Sequence, residues 1–180
     1  MGHSVTIIAC GLDDFPALAE ATAFRRSGAP PELGLPPIGY SEANGHALVW
    51  IDRIAGEDTA PPDLATMSRI VPFWALTVVE SETYAILERY VDGEVTCAIW
   101  SSPGLFSRLR SYGDCPFDLA ELERQNLVYT RENQDRFGIE QEPSPFTIPI
   151  LAFRELTGVE YDGAELHAVE PATASFPVES

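Results

Sequence analysis

Two β-rich runs of eight residues, Tyr84–Val91 (YAILERYV) and Glu94–Ser101 (EVTCAIWS), flank the dipeptide Asp92-Gly93. No other feature constrains the fold as strongly. A two-residue Asp-Gly loop tolerates the positive φ angles of a type I′ turn, so the runs are expected to close into a hairpin. The turn also sets a register. Val91 should face Glu94, followed by Arg89 with Thr96, Leu87 with Ala98 and Ala85 with Trp100. On the other face Tyr90 should meet Val95, Glu88 should meet Cys97, and Ile86 should meet Ile99. Both faces are substantially apolar, which predicts a central hairpin covered on both sides rather than a sheet edge. Glu88 then falls among Tyr90, Ile86 and Cys97.

The remaining elements read outward from that hairpin. Ser4–Cys10 (SVTIIAC) has the β-branched content of a strand, and Gly11 breaks it. Asp13 or Asp14 can cap a following helix that carries Pro16 in its first turn and places Ala17, Leu18, Ala21 and Phe24 on one face. Arg25 and Arg26 suit its C-terminal end, and Gly28 stops it. Residues 27–45 are dense in proline and glycine and read as one long loop. His46–Ile54 and Pro72–Glu80 read as strands, with a short helix over Asp63–Ile70 between them. After Pro103-Gly104 the spacing of Leu105, Phe106, Leu109 and Tyr112 predicts a helix that ends at Gly113. Asp118 opens another helix, through about Asn126. Residues 127–142 show no clear period. Ser144-Pro145 opens a helix with Phe146, Ile150, Phe153 and Leu156 inward, Pro149 in its early turns and Gly158 at its end. Tyr161–Val169 reads as a last strand, with Asp162-Gly163 as a turn.

These elements specify an α+β fold. A single domain over residues 1–170 is expected, a mainly antiparallel sheet with the Asp-Gly hairpin at its centre and several packed helices, followed by a loose tail at 171–180. The 45% hydrophobic content of the 180 residues can supply one core, and folding at this size buries roughly 70% of the unfolded surface.

Charge bears on partners rather than on fold. All 11 basic side chains are arginines, against 28 acids, for a formal net charge of -17. A GC-rich genome or a saline cytoplasm accounts for the missing lysines. The acids are uneven: residues 121–180 carry twelve against four arginines, and no base follows Arg154. Such a surface repels the phosphates of nucleic acids and anionic membranes and attracts a basic protein. Glu155, Glu160, Asp162, Glu165 and Glu170 are the candidate partner-binding residues. No apolar run approaches a membrane span and no secretory signal is evident. With three cysteines and no CxxC spacing, reduced thiols and a cytoplasmic location are expected, without a disulfide framework.

Catalytic motifs are scarce. The three histidines, His3, His46 and His167, are isolated, so no metal-ligand spacing exists. Cys10 precedes a helix but is followed by Asp13 and Asp14, and Cys115 lies between Asp114 and Asp118; these charges oppose a thiolate. Trp100-Ser101-Ser102-Pro103-Gly104 lacks the first glycine of a nucleophile elbow. Without lysine there is neither a phosphate-loop amine nor a Schiff base. Asp13 and Asp14 are explained by helix capping before magnesium binding. No cofactor or metal is implied.

Three functions fit. The first is an acidic protein-binding domain, of the immunity or inhibitor type, that neutralises a basic partner. The second is a small enzyme with a noncontiguous site near the 27–45 loop, using His46 with Glu88 or Asp52. The third is an accessory subunit of a larger assembly.

Overall fold

The computed structural model describes residues 3–22, 38–54, 63–79, 82–101, 108–138, 140, 142–161, 166–167 and 174–175. The chain begins with β1 (His3–Gly11), α1 (Phe15–Thr22), β2 (Ile38–Ala43), β3 (His46–Ile54) and α2 (Leu64–Ser68). It continues through β4 (Phe73–Val79), β5 (Tyr84–Val91), β6 (Glu94–Ser101) and β7 (Leu109–Gly113). Helices α3 (Leu119–Phe137) and α4 (Thr147–Thr157) follow, and then β8 (Glu160–Tyr161), β9 (Leu166–His167) and β10 (Ala174–Ser175).

One sheet runs in the order β10-β2-β3-β1-β4-β5-β6-β7, and β8 and β9 form a separate ladder. All of its pairings are antiparallel. The β-branched strand β1 sits inside it between β3 and β4, buried from Val5 to Cys10. Alternation sends its residues to two cores. Val5, Ile7 and Ala9 join Leu76, Val78, Leu87 and Ile99 beneath Leu122 of α3 and Ile148, Leu151 and Phe153 of α4. Ile8 and Cys10 join Ala47, Val49, Phe73 and Ala75 beneath Leu18 of α1 and Met67 of α2. The architecture is α+β, with helices on both faces of an antiparallel sheet.

The hairpin departs from its expected geometry in two ways. Asp92 and Gly93 adopt φ 51° and 86°, as a type I′ turn requires, and Val91 pairs with Glu94 and Tyr90 with Val95. But Arg89 then pairs with Cys97, which leaves Thr96 as an extra residue. This is a β-bulge, and it shifts every pair beyond it by one. The Thr96 hydroxyl donates to the Arg89 carbonyl at 3.3 Å. Glu88 therefore opposes Ala98 and Ile86 opposes Trp100, while Cys97 turns into the core under α3 and α4. The hairpin also lies toward one end of the sheet, with only β7 beyond β6.

Other expectations are corrected as well. The 27–45 loop contains β2, joined to β3 by Asn44-Gly45 with φ 46° and 78°. Residues 109–113 form strand β7 rather than a helix, because Leu109–Gly113 pair with Ser101–Cys97. Leu105 and Phe106 lie outside the described residues. Helix α3 continues to Phe137 and is stopped by left-handed Gly138, so it includes much of the stretch without a period. In α4 the buried residues are Ile148, Pro149, Leu151, Ala152, Phe153 and Thr157. Phe146, Ile150 and Leu156 are only partly buried. The last strand is a two-pair ladder, Glu160 with His167 and Tyr161 with Leu166. Within the expected tail, Ala174 and Ser175 pair with Tyr40 and Gly39.

A disulfide joins Cys97 to Cys115, with 5.3 Å between their Cα atoms. The pairing of β6 with β7 sets Cys97 opposite Gly113, two residues before Cys115. The thiol argument for a cytoplasmic chain falls with it. Among the described residues, no helix is long and apolar enough to cross a membrane.

Candidate functional site

Strand β5 carries Tyr84, Ile86, Glu88 and Tyr90 at every second position, so all four share the face that bears α1 and α2. Tyr90 anchors one end. It stacks on Phe73 with ring centroids 5.5 Å apart and packs against the core beneath α2. Helix α2 holds the adjoining turn. Ser68 accepts from the amide of Asp92 through its carbonyl at 3.1 Å and from the amide of Gly93 through its hydroxyl at 2.9 Å. Asp63 fixes the other end of α2, its carboxylate accepting from the Thr66 amide and hydroxyl, and these bonds hold its carboxyl below the usual range.

Glu88 occupies the middle of this face, half-buried between Ala75 on β4 and Ala98 on β6. The Tyr90 hydroxyl donates to Glu88 Oε2 at 3.0 Å. Burial pushes the Glu88 carboxyl up, and the bond from Tyr90 partly opposes that push. The Tyr90 phenol is raised by burial first and then by the Glu88 charge, so it keeps its proton and acts as donor. Tyr84 is raised by the same two causes in the same order. Further along, Thr77 and Trp100 stand opposite Ile86 on its two neighbouring strands, and both are half-buried. The Thr77 and Thr6 hydroxyls are hydrogen-bonded at 3.1 Å.

No cation offsets Glu88 among the described residues. Arg89 projects to the other face and lies over the Trp74 ring at 5.7 Å. The Oε1 atom of Glu88 likewise has no hydrogen-bond partner among the described residues. The group is therefore a half-buried carboxylate with one oxygen held by a phenol and one acceptor edge open, in a rim of aromatic rings. It can accept a proton or hold a cation.

Of the other residues singled out by sequence, those whose side chains are described, His46 and Glu155, do not join it. His46 opens β3, half-buried, with Nδ1 3.2 Å from the Asn44 carbonyl. It shares its face with Leu48 of the α3/α4 core, opposite to the face of Glu88. Strands β1 and β4 also separate β3 from β5, about 14 Å over three ladder spacings. Asp52, on β3, pairs with Val5 of β1, and its side chain lies outside the described residues. Glu155 is exposed on α4. Glu160 belongs to β8, its side chain outside the described residues, as are Asp162, Glu165 and Glu170. The Cys10 thiol is pushed up to about 11 by burial and then by the Asp14 charge, which makes it a poor nucleophile. Among the described residues no group of three His, Cys, Asp or Glu could hold a metal ion.

Sequence spacing alone placed Tyr90 and Ile86 beside Glu88. It missed Trp100, because the bulge that brings Trp100 to this face has no marker in the residues around Thr96. Comparisons with protein-family models, curated proteins and solved structures found no match for this chain.

Proposed function

We propose that the chain is an acidic protein-binding domain, of the immunity or inhibitor type, that neutralises a basic protein partner. The observation that carries this reading is the excess of 28 acids over 11 arginines. A field of that size accelerates encounter with a cationic surface and rejects phosphate-bearing polymers. Binding needs no catalytic constellation, and His46 and Glu88 do not form one, since they lie on opposite sheet faces. An exposed carboxylate such as Glu155 belongs to the rim of such a contact, where charge governs the rate of association more than its final strength.

The test is isolation of the partner from host extract at low ionic strength with the full chain as bait, followed by calorimetry of the purified pair. The expected result is a stoichiometric complex with a protein of high isoelectric point. An acidic or neutral partner, or a nucleic acid, overturns the reading.

A further inference from the structure

We propose that the sheet face centred on Glu88 is the seat for one arginine side chain of the basic partner; this rests on the reading above and assigns it a site. Three features of the face point to that occupant. The first is charge. Glu88 is a half-buried carboxylate with no cation beside it among the described residues, and its Oε1 edge is open. A buried carboxylate gains most from a partner that brings an opposite charge and an N–H donor together. The second is shape. Glu88 stands between two alanines, Ala75 and Ala98, while Tyr84, Tyr90, Ile86 and Trp100 lie along the same face. Both alanines are buried, so the accessible groups around the carboxylate are the half-buried Tyr84, Ile86, Tyr90 and Trp100. The third is the chemistry of the rim. Trp100 is diagonal to Glu88 across the β5–β6 pair, within reach of an aromatic side chain. A guanidinium can donate to a carboxylate edge while its plane stacks on an aromatic ring, and it is more weakly hydrated than an ammonium.

Tyr90 is a positioning residue in this scheme. Its phenol holds Oε2 and so fixes the direction in which Oε1 faces. The Thr6 and Thr77 hydroxyls are paired with each other and do not compete for the carboxylate.

The experiment is an NMR titration of the full chain with N-acetyl-arginine methylamide, which carries the guanidinium and no other charge. Saturable shifts are expected at the Glu88 carboxyl carbon, the Tyr84 and Tyr90 rings and the Trp100 indole. Glu88→Gln should lower the apparent affinity at least tenfold, whereas Glu132→Gln, at an exposed acid on α3, should leave it unchanged. Shifts spread evenly over the acidic surface, or an unchanged response in Glu88→Gln, would overturn the site. An equal response to the matching lysine derivative would overturn the assignment to arginine. Should Glu88→Gln fold poorly, Trp100→Leu provides the second variant, and the position of the wild-type shifts still decides. The two proposals fail separately. A partner that binds wild type and Glu88→Gln equally removes this site and leaves the partner reading, whereas a saturable probe response with no basic partner does the reverse.

Discussion

Glu88 shows how one residue's position on a strand decides its chemistry. On an edge or an exposed face it would be an ordinary solvated acid. Here burial raises its carboxyl, and the Tyr90 phenol offsets only part of that rise. A raised carboxyl pKa means that the native state disfavours the charged form relative to the unfolded chain. The cost is absent at pH values below the unfolded pKa, where the group is protonated in both states. It appears as pH rises through the folded value. Glu88→Gln keeps an oxygen for Tyr90 and removes the charge. Thermal melts should therefore show the variant more stable than wild type at neutral pH, with the difference vanishing in acid. A variant less stable at pH 7 would mean that Glu88 has a compensating cation. That Glu88 could be interior was legible from the alternation of its neighbours. Its partner was not, because a hydroxyl two residues away on the same face is only one of several groups that could have reached it.

At the scale of elements, the local rules succeeded where a single residue type dictates backbone geometry. The Asp92-Gly93 turn and the Asp118 cap, whose carboxylate accepts from the amides of Ala120 and Glu121, depend on side chains within three residues. They failed where a distant strand decides. Strand β7 was hidden because Leu109 and Tyr112 also fit a helical spacing, and only pairing with β6 selects the extended form. Strand β2 was hidden by the surrounding prolines and glycines, although Asn44-Gly45 is itself a hairpin marker. The end of α3 was hidden because its buried residues are Leu122, Asn126 and Thr130, two of them polar, so no apolar stripe reveals it. The bulge ties these elements together. Gly113 has φ 72°, and a Cβ there would land on the Thr96 carbonyl oxygen. Gly113→Ala should therefore cost at least ~2 kcal/mol in denaturant unfolding, from left-handed strain plus the clash. A loss below ~0.5 kcal/mol, the scale of a neutral surface change, would mean that the bulge relaxes freely. The disulfide closes 18 residues over the same corner, so Cys97→Ala with Cys115→Ala should lose about 3 kcal/mol on the chain-entropy model. Unchanged unfolding under reducing conditions would show that β7 is held by its ladder alone.

For the whole molecule, the sheet divides two environments. One face is buried beneath α3 and α4 by large aliphatic and aromatic residues. The other is buried beneath α1 and α2 at one end, while Thr77, Ile86, Tyr84 and Trp100 further along it are half-buried and lie outside that core. A net charge of -17 surrounds both. Charge of this kind acts at a distance, before any side chain touches, so its effect belongs to the rate of encounter. Steering by this charge is measured directly by the association rate of the full chain with its purified partner as ionic strength rises from ~0.01 M to ~0.15 M, which shortens the Debye length from about 30 Å to about 8 Å. The rate should fall about tenfold or more, because opposite charges steer the encounter. A rate that stays constant, or rises with salt, would contradict it.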